Sequence, residues 1–277
     1  MKHSESFMAA VQKVMAEAKL NHDPHSPPAS ISCSLGHTIK PVWRKNRFGD
    51  HWTLRSPEDC LACKAQEARA DYIDVLLERF KRIGVPEVFQ VWTTGWRREE
   101  DSHEVFREEL PIDEHNAHIA KACIGYSMSA WMGLAGSVGT GKTSYASALF
   151  MDLVESYRSR GLSHPLWTTE AAMFRECDLA AEINHSARVA KFNEYLTSKL
   201  LLLDDLGGSR RSLTPWQKTA MNDLFDYRYS HRLPVIFTTN LKSWDDIKSH
   251  YGDRITSRML ARCKRLMILM GPDRRLK

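Results

Sequence analysis

Gly136, Ser137, Val138, Gly139, Thr140, Gly141, Lys142 and Thr143 run consecutively as a G-x-x-x-x-G-K-T string. These residue types suit a loop that cradles a phosphate chain. Glycine lets the backbone curl tightly and turn its N–H groups inward. Lys142 has the reach and charge for the β- and γ-phosphates of a nucleoside triphosphate, and the Thr143 hydroxyl can hold Mg2+. A helix starting near Lys142 adds the partial positive charge of its N-terminus. A dinucleotide-binding G-x-G-x-x-G is excluded, because Gly139-x-Gly141 is followed by Lys-Thr-Ser.

Downstream, the leucines at 200–203 are followed by Asp204 and Asp205. An apolar run of this length reads as a buried strand, here ending in carboxylates. Beside a phosphate loop, Asp204 would coordinate the Mg2+ and Asp205 would orient or deprotonate an attacking water. Asn240 ends another apolar run and is suited to positioning that water. Arg254 and Arg258 lie at i and i+4, on one face of a helix. Guanidinium groups stabilise the charge that develops on a transferring phosphoryl group, and they often come from a neighbouring subunit.

A separate chemistry is written earlier in the chain. Cys33-x3-His37 and Cys60-x2-Cys63 present four soft ligands as two close pairs, the logic of a structural Zn2+ site. His22, His25 and His51 are alternatives to His37 as the fourth ligand. The residues between the pairs, including Trp43, Arg44, Arg47, Phe48 and Trp52, suit a small hairpin too short to bury a core of its own. Such modules commonly need a metal to fold. Cys123, Cys177 and Cys263 stand singly in apolar or helical contexts and read as core thiols.

The elements that must position these groups follow from periodicity. Residues 4–19 carry Phe7, Met8, Val11, Val14 and Met15 on one helical face, and the proline-rich stretch 21–28 then forms a stiff linker. A charged helix over 64–82 is ended by Gly84-Val85-Pro86. From there strands and helices alternate, the pattern of a parallel α/β sheet. Strands are expected at 130–135, 165–169, 199–205, 233–240 and 264–270, and helices at 144–157, 170–183 and 187–196. The expected organisation is an N-terminal helix and linker over 1–29, a zinc-binding module over 30–66, a linker helix over 67–83 and an ATPase domain over 84–277.

Hydrophobic residues make up 43% and charged residues 26% of the 277, an ordinary balance for a folded globular chain. No apolar run approaches the roughly 20 residues of a membrane helix. The N-terminal Met1-Lys2-His3-Ser4-Glu5 lacks the apolar stretch of a secretion signal, so a cytoplasmic location without membrane association is expected. A net charge of +5 is compatible with a nucleic-acid partner.

With these motifs in place, the chain resembles the AAA+ ATPases of the DnaC type, the bacterial and phage helicase loaders. The residues at 136–143 look like their Walker A, 200–205 their Walker B, Asn240 their sensor 1, and Gly252-Asp-Arg-Ile-Thr-Ser-Arg258 the box with the arginine finger. The resemblance makes Arg258 the finger, Arg254 a supporting contact and Arg275, in Gly271-Pro-Asp-Arg-Arg275, a phosphate contact. It places Gly84-Val-Pro-Glu-Val-Phe89 near the adenine. It implies a parallel sheet flanked by helices and, since few residues follow the last strand, no helical lid. It further implies ATP and Mg2+ as ligands, assembly into a ring or spiral, a replicative hexameric DNA helicase as partner and single-stranded DNA in the pore. Candidate DNA contacts are Phe174, Arg175, Arg188, Lys191 and Phe192, with Arg210, Arg211 and Ser212 after the Walker B strand. Thr214 stands where the family sometimes has an aromatic residue. An IstB-like transposition helper and a nucleotide-binding adaptor without significant hydrolysis are the alternatives.

Overall fold

A computed structural model describes residues 27, 29–44, 51–53, 60–94, 107–156, 162, 164–208, 212–263 and 266–274. The helix expected over 4–19 and most of the linker after it lie outside the described residues, as do His22, His25, Arg47, Phe48, Arg210, Arg211 and Arg275. The chain divides into two compact units, 1–74 and 75–277.

In the first unit, β1 (Ile31–Ser32) and β2 (Thr38–Ile39) pair antiparallel, and so do β3 (Val42–Arg44) and β4 (His51–Thr53). The second pair is the hairpin expected between the Cys/His pairs. Helix α1 (Leu61–Arg82) starts between Cys60 and Cys63, earlier than its charged pattern suggested. The division into units falls within α1 rather than at Gly84. Leu76, Phe80 and Ile83 explain this, since they bury the last turns of the helix and the residue after them.

In the second unit, a 3-10 turn (Glu87–Phe89) leads to β5 (Trp92–Thr93), which pairs in parallel with β6 (Glu108–Glu109). Asp152 binds this ribbon to the core. Its buried carboxylate accepts from the hydroxyls of Thr93 at 2.8 Å and Thr94 at 2.6 Å, and it pairs with Arg107 at 2.8 Å. Burial pushes the Asp152 carboxyl up, against the Arg107 charge and the threonine bonds.

After α2 (Ala117–Ile124), strand and helix alternate as the pattern requires: β7 (Met132–Gly136), α3 (Lys142–Ser156), β8 (Leu166–Thr169), α4 (Glu170–Ile183), α5 (His185–Thr197), β9 (Leu201–Leu206), α6 (Pro215–Ser230), β10 (Val235–Thr239), α7 (Trp244–Tyr251), α8 (Asp253–Arg262) and β11 (Leu266–Leu269). The five strands from β7 onward form one parallel sheet in the order β11-β7-β10-β9-β8. Leu201, Leu202 and Leu203 are fully buried, as are Val235, Ile236 and Phe237 beside them. Each such side chain contributes roughly 2 kcal/mol by leaving water. Asn184 alone separates α4 from α5, because its side chain accepts the Ala187 N–H and caps the second helix at once. Among the described residues no helix is long and apolar enough to cross a membrane.

Candidate functional site

In an open parallel sheet, ligands bind beyond the carboxyl ends of the strands, where the order switches. β7 ends there, between β11 and β10, and the 136–143 loop joins it to α3. The loop glycines do what the spacing required. Gly136 has φ 146°, and a Cβ on it would lie 2.3 Å from the Leu269 carbonyl oxygen; Gly139 and Gly141 also have positive φ. The Thr140 hydroxyl donates to the Ser137 carbonyl at 2.9 Å. The Lys142 ammonium donates to the same carbonyl at 2.7 Å and to Asn240 Oδ1 at 2.9 Å.

The two carboxylates arrive on a bulge. β9 pairs with β10 in register up to Leu203 opposite Phe237, then resumes at Leu206 opposite Thr239. The extra β9 residue turns Asp205 into the left-handed region, φ 56°, and Asp205 is exposed whereas Asp204 is buried. Bulges of this kind re-aim side chains beside active sites. Thr238 fills the gap: its hydroxyl donates to Asp204 Oδ1 at 2.5 Å and accepts the Asp205 N–H at 2.9 Å. The Thr143 hydroxyl donates to Asp204 Oδ1 at 2.9 Å. Burial raises the Asp204 pKa, opposed by the bonds from Thr238 and Thr143 and reinforced by Asp205. A divalent cation would compensate the ionised form. Asn240 Nδ2 donates to Asp205 Oδ1 at 3.0 Å, so Asn240 bridges Lys142 and Asp205.

Arg254 and Arg258 both lie on α8, as expected, and both pair with Asp226 of α6. Arg258 also donates to the Arg254 carbonyl at 2.9 Å. The terminal segment does reach the phosphate loop, through residues not singled out in the sequence. The Arg274 N–H donates to the Gly139 carbonyl at 2.9 Å, its guanidinium donates to Asp113 at 2.5 Å, and Asp273 lies so close that a Cβ on Gly139 would meet it at 1.9 Å. Gly84, expected near the adenine, packs on β8: its φ is 91°, and a Cβ there would lie 2.4 Å from the Trp167 carbonyl oxygen.

The candidate DNA contacts fare differently from one another. Phe174 is buried and packs edge-on against Trp216, with centroids 5.8 Å apart. Arg188 lies over the Trp216 ring and pairs with Asp178 at 3.0 Å. Lys191 pairs with Glu176 and Glu194. Ser212 is exposed. Thr214 serves as a helix cap, in a reciprocal box with Gln217 at the start of α6.

In the first unit, the ligand atoms of Cys33, His37, Cys60 and Cys63 lie within 4.8 Å of one another. Two local devices assemble them. A tight turn, in which Gly36 (φ 79°) donates to the Cys33 carbonyl and Cys33 donates to that of His37, presents the first pair. The first turn of α1 presents the second, with the Lys64 N–H on the Cys60 carbonyl. Cys33 Sγ is 3.4 Å from Cys63 Sγ, and His37 Nδ1 is 3.5 Å and 3.4 Å from these sulfurs. Tetrahedral zinc with bonds near 2.3 Å sets its sulfurs roughly 3.8 Å apart, so the donors need little movement to close on an ion. Burial opposes ionisation of Cys33, but hydrogen bonds from Cys63 and from the Leu35 and His37 backbone draw it down to about 6. Cys63, hydrogen-bonded to Cys33, is pushed up to about 12. The cluster can hold a metal ion. Cys123, Cys177 and Cys263 are buried thiols, as expected.

No protein-family model matches the chain, and no curated protein matches it. Solved structures do. A DnaC helicase loader superposes with a TM-score of 0.50 at 18% identity, covering 67% of this chain and 100% of that one. The chain therefore shares the fold of that loader. DnaI gives a TM-score of 0.48 at 20% identity over 68% of this chain and 93% of that one. The replication initiator DnaA, bound to AMPPCP and single-stranded DNA, gives 0.47 at 19% over 58% of this chain and 48% of that one. At such identities the likeness is one of fold.

Proposed function

We propose that the protein is an ATPase that loads a hexameric replicative DNA helicase onto single-stranded DNA. The observation that carries the reading is the convergence of Lys142, Thr143, Asp204, Asp205 and Asn240 at the end of one sheet. Lys142 would leave Ser137 and Asn240 for the phosphates, and Asn240 would stay on Asp205 and help it hold the attacking water. Thr143 and Asp204 would hold Mg2+, which neutralises charge on the phosphates. Copies would stack head to tail in a ring or spiral, with Arg258 leaving Asp226 to complete the neighbour's site and Arg254 supporting it. The exposed Ser212, together with Arg188, Lys191, Arg210 and Arg211, is the candidate surface for single-stranded DNA. Cys33, His37, Cys60 and Cys63 would hold Zn2+ and shape a module that, with residues 1–29, grips the helicase.

Turnover of ATP by the full chain, with and without single-stranded DNA, tests the enzyme. Hydrolysis at background favours an adaptor. Capture of partners from source cells tests the cargo: a hexameric helicase supports loading, and a transposase supports the IstB-like alternative. Arg258→Ala is expected to abolish hydrolysis and leave nucleotide affinity nearly unchanged; equal loss of both removes the trans finger.

A further inference from the structure

Glu170 opens α4 immediately after β8 and is 3% exposed. A buried carboxylate persists where donors satisfy it, and Glu170 has two that come from different parts of the site. One oxygen accepts the Gly207 N–H at 2.8 Å and the other accepts the Tyr251 hydroxyl at 2.7 Å. Gly207, at φ 68°, belongs to the turn that holds Asp205 in the left-handed region, and Gly208 donates back to the Asp205 carbonyl at 3.0 Å. Tyr251 is the last residue of α7, and Gly252 alone separates it from α8, which carries Arg254 and Arg258. Glu170 and Asp205 also border a common groove of about 500 Å3.

We propose that Glu170 is a positioning residue that couples the Asp205 turn of a subunit's own site to the arginine-bearing helix it offers to the next. The inference rests on the reading of Arg258 as a finger supplied in trans. A change at the Asp205 turn on nucleotide binding or hydrolysis moves the Gly207 N–H. Glu170 passes that movement to Tyr251 and hence to the start of α8. The coupling runs through Glu170 and its two partners, with the Tyr251 hydroxyl also meeting the Gly207 N–H, a physically contiguous link of the kind such communication uses.

The variants separate the coupling from packing. Tyr251→Phe deletes one hydroxyl. Glu170→Ala removes both bonds, whereas Glu170→Gln keeps both: its amide oxygen accepts from Gly207 and its amide nitrogen donates to the tyrosine oxygen. Tyr251→Phe and Glu170→Ala are expected to lower kcat for ATP on the order of tenfold to a hundredfold, the scale of a misplaced catalytic group. KM should stay within about twofold, and Glu170→Gln should recover most of the rate. The trans arm mixes full-length wild-type chain with excess chain whose own site is disabled by Lys142→Ala. Adding Arg258→Ala to that carrier should silence the wild-type sites, and adding Tyr251→Phe instead should slow them. If the Arg258→Ala carrier leaves wild-type turnover unchanged, the trans-finger reading fails and takes the coupling with it. If that carrier silences the sites but the Tyr251→Phe carrier acts like Lys142→Ala alone, the finger stands and the coupling is overturned. Unchanged kcat in the Tyr251→Phe chain by itself also overturns it.

Discussion

The phosphate loop and the Cys/His cluster are both chemical sites, yet they are assembled by opposite means. The loop hangs from a five-stranded sheet whose central strands bury runs of leucine, valine and isoleucine. Its polar groups are then set by bonds among themselves, Lys142 to Asn240 to Asp205 and Thr143 to Asp204 to Thr238. Among the described residues the cluster has little beneath it. Its buried group is Cys33, Ile39 and Cys60, with Ile31 and Cys63 packed alongside, and its first two strands have two residues each. In the sheet the fold positions the ligands; among the described residues of the module the ligands are most of the core.

The largest expected effect tests that contrast directly. Chelation, or Cys63→Ser in the full chain, should cost the module a metal affinity on the order of 10 kcal/mol. Hydrogen exchange would then show the Cys33, Gly36 and Lys64 amides losing protection while β9 and β10 keep theirs. Acidification should act in the same direction, because protons displace the metal from its thiolates. Elemental analysis of protein purified without added metal should find zinc; less than about half an equivalent removes the metal reading. Loss of protection in β9 together with the module would break the contrast, showing the sheet to depend on the metal too.

Next in size is Asp205→Asn, expected to lower hydrolysis about 10²–10⁴-fold, the range of a lost general base. ATP affinity measured in the same buffer should stay near wild type, because Lys142 and the loop N–H groups are untouched. Loss of affinity in proportion would mean that Asp205 shapes the loop rather than serving the water. Within the sheet, Leu202→Ala should cost about 2–5 kcal/mol in urea denaturation and leave the zinc content of the folded protein unchanged.

What was legible in the sequence divides along the same line. The 136–143 string, the leucines before Asp204 and the paired cysteines are local patterns, and each sits where its pattern implied. The chain's long-range pairings carry no such signature. Thr238 reads as an ordinary β-branched strand residue, yet it fills the bulge that separates Asp204 from Asp205. Asp226 carries no motif in the sequence, yet it pairs with both α8 arginines. Phe174 reads as a ring that could stack on a base, and its packing against Trp216, far away in sequence, has no local sign. Arg274 reads like its neighbour Arg275, yet its backbone N–H is the group that reaches the Gly139 carbonyl.

The smallest effect concerns Thr214, where the family pattern and local physics part. Its hydroxyl accepts the Gln217 N–H at 3.3 Å, and the Gln217 side chain accepts the Thr214 N–H at 2.9 Å, which closes both ends of a capping box. Thr214→Ala should therefore cost about 1 kcal/mol of stability. Since the box is reciprocal, Gln217→Ala should cost less once Thr214 is gone, a non-additivity that a double-mutant cycle detects. Zinc content and ATP affinity should not move. If Thr214→Ala instead weakens binding of single-stranded DNA and leaves the urea midpoint unchanged, the residue faces nucleic acid, as an aromatic at that position would. The α6 N-terminus would then belong with the DNA surface and not with the scaffold.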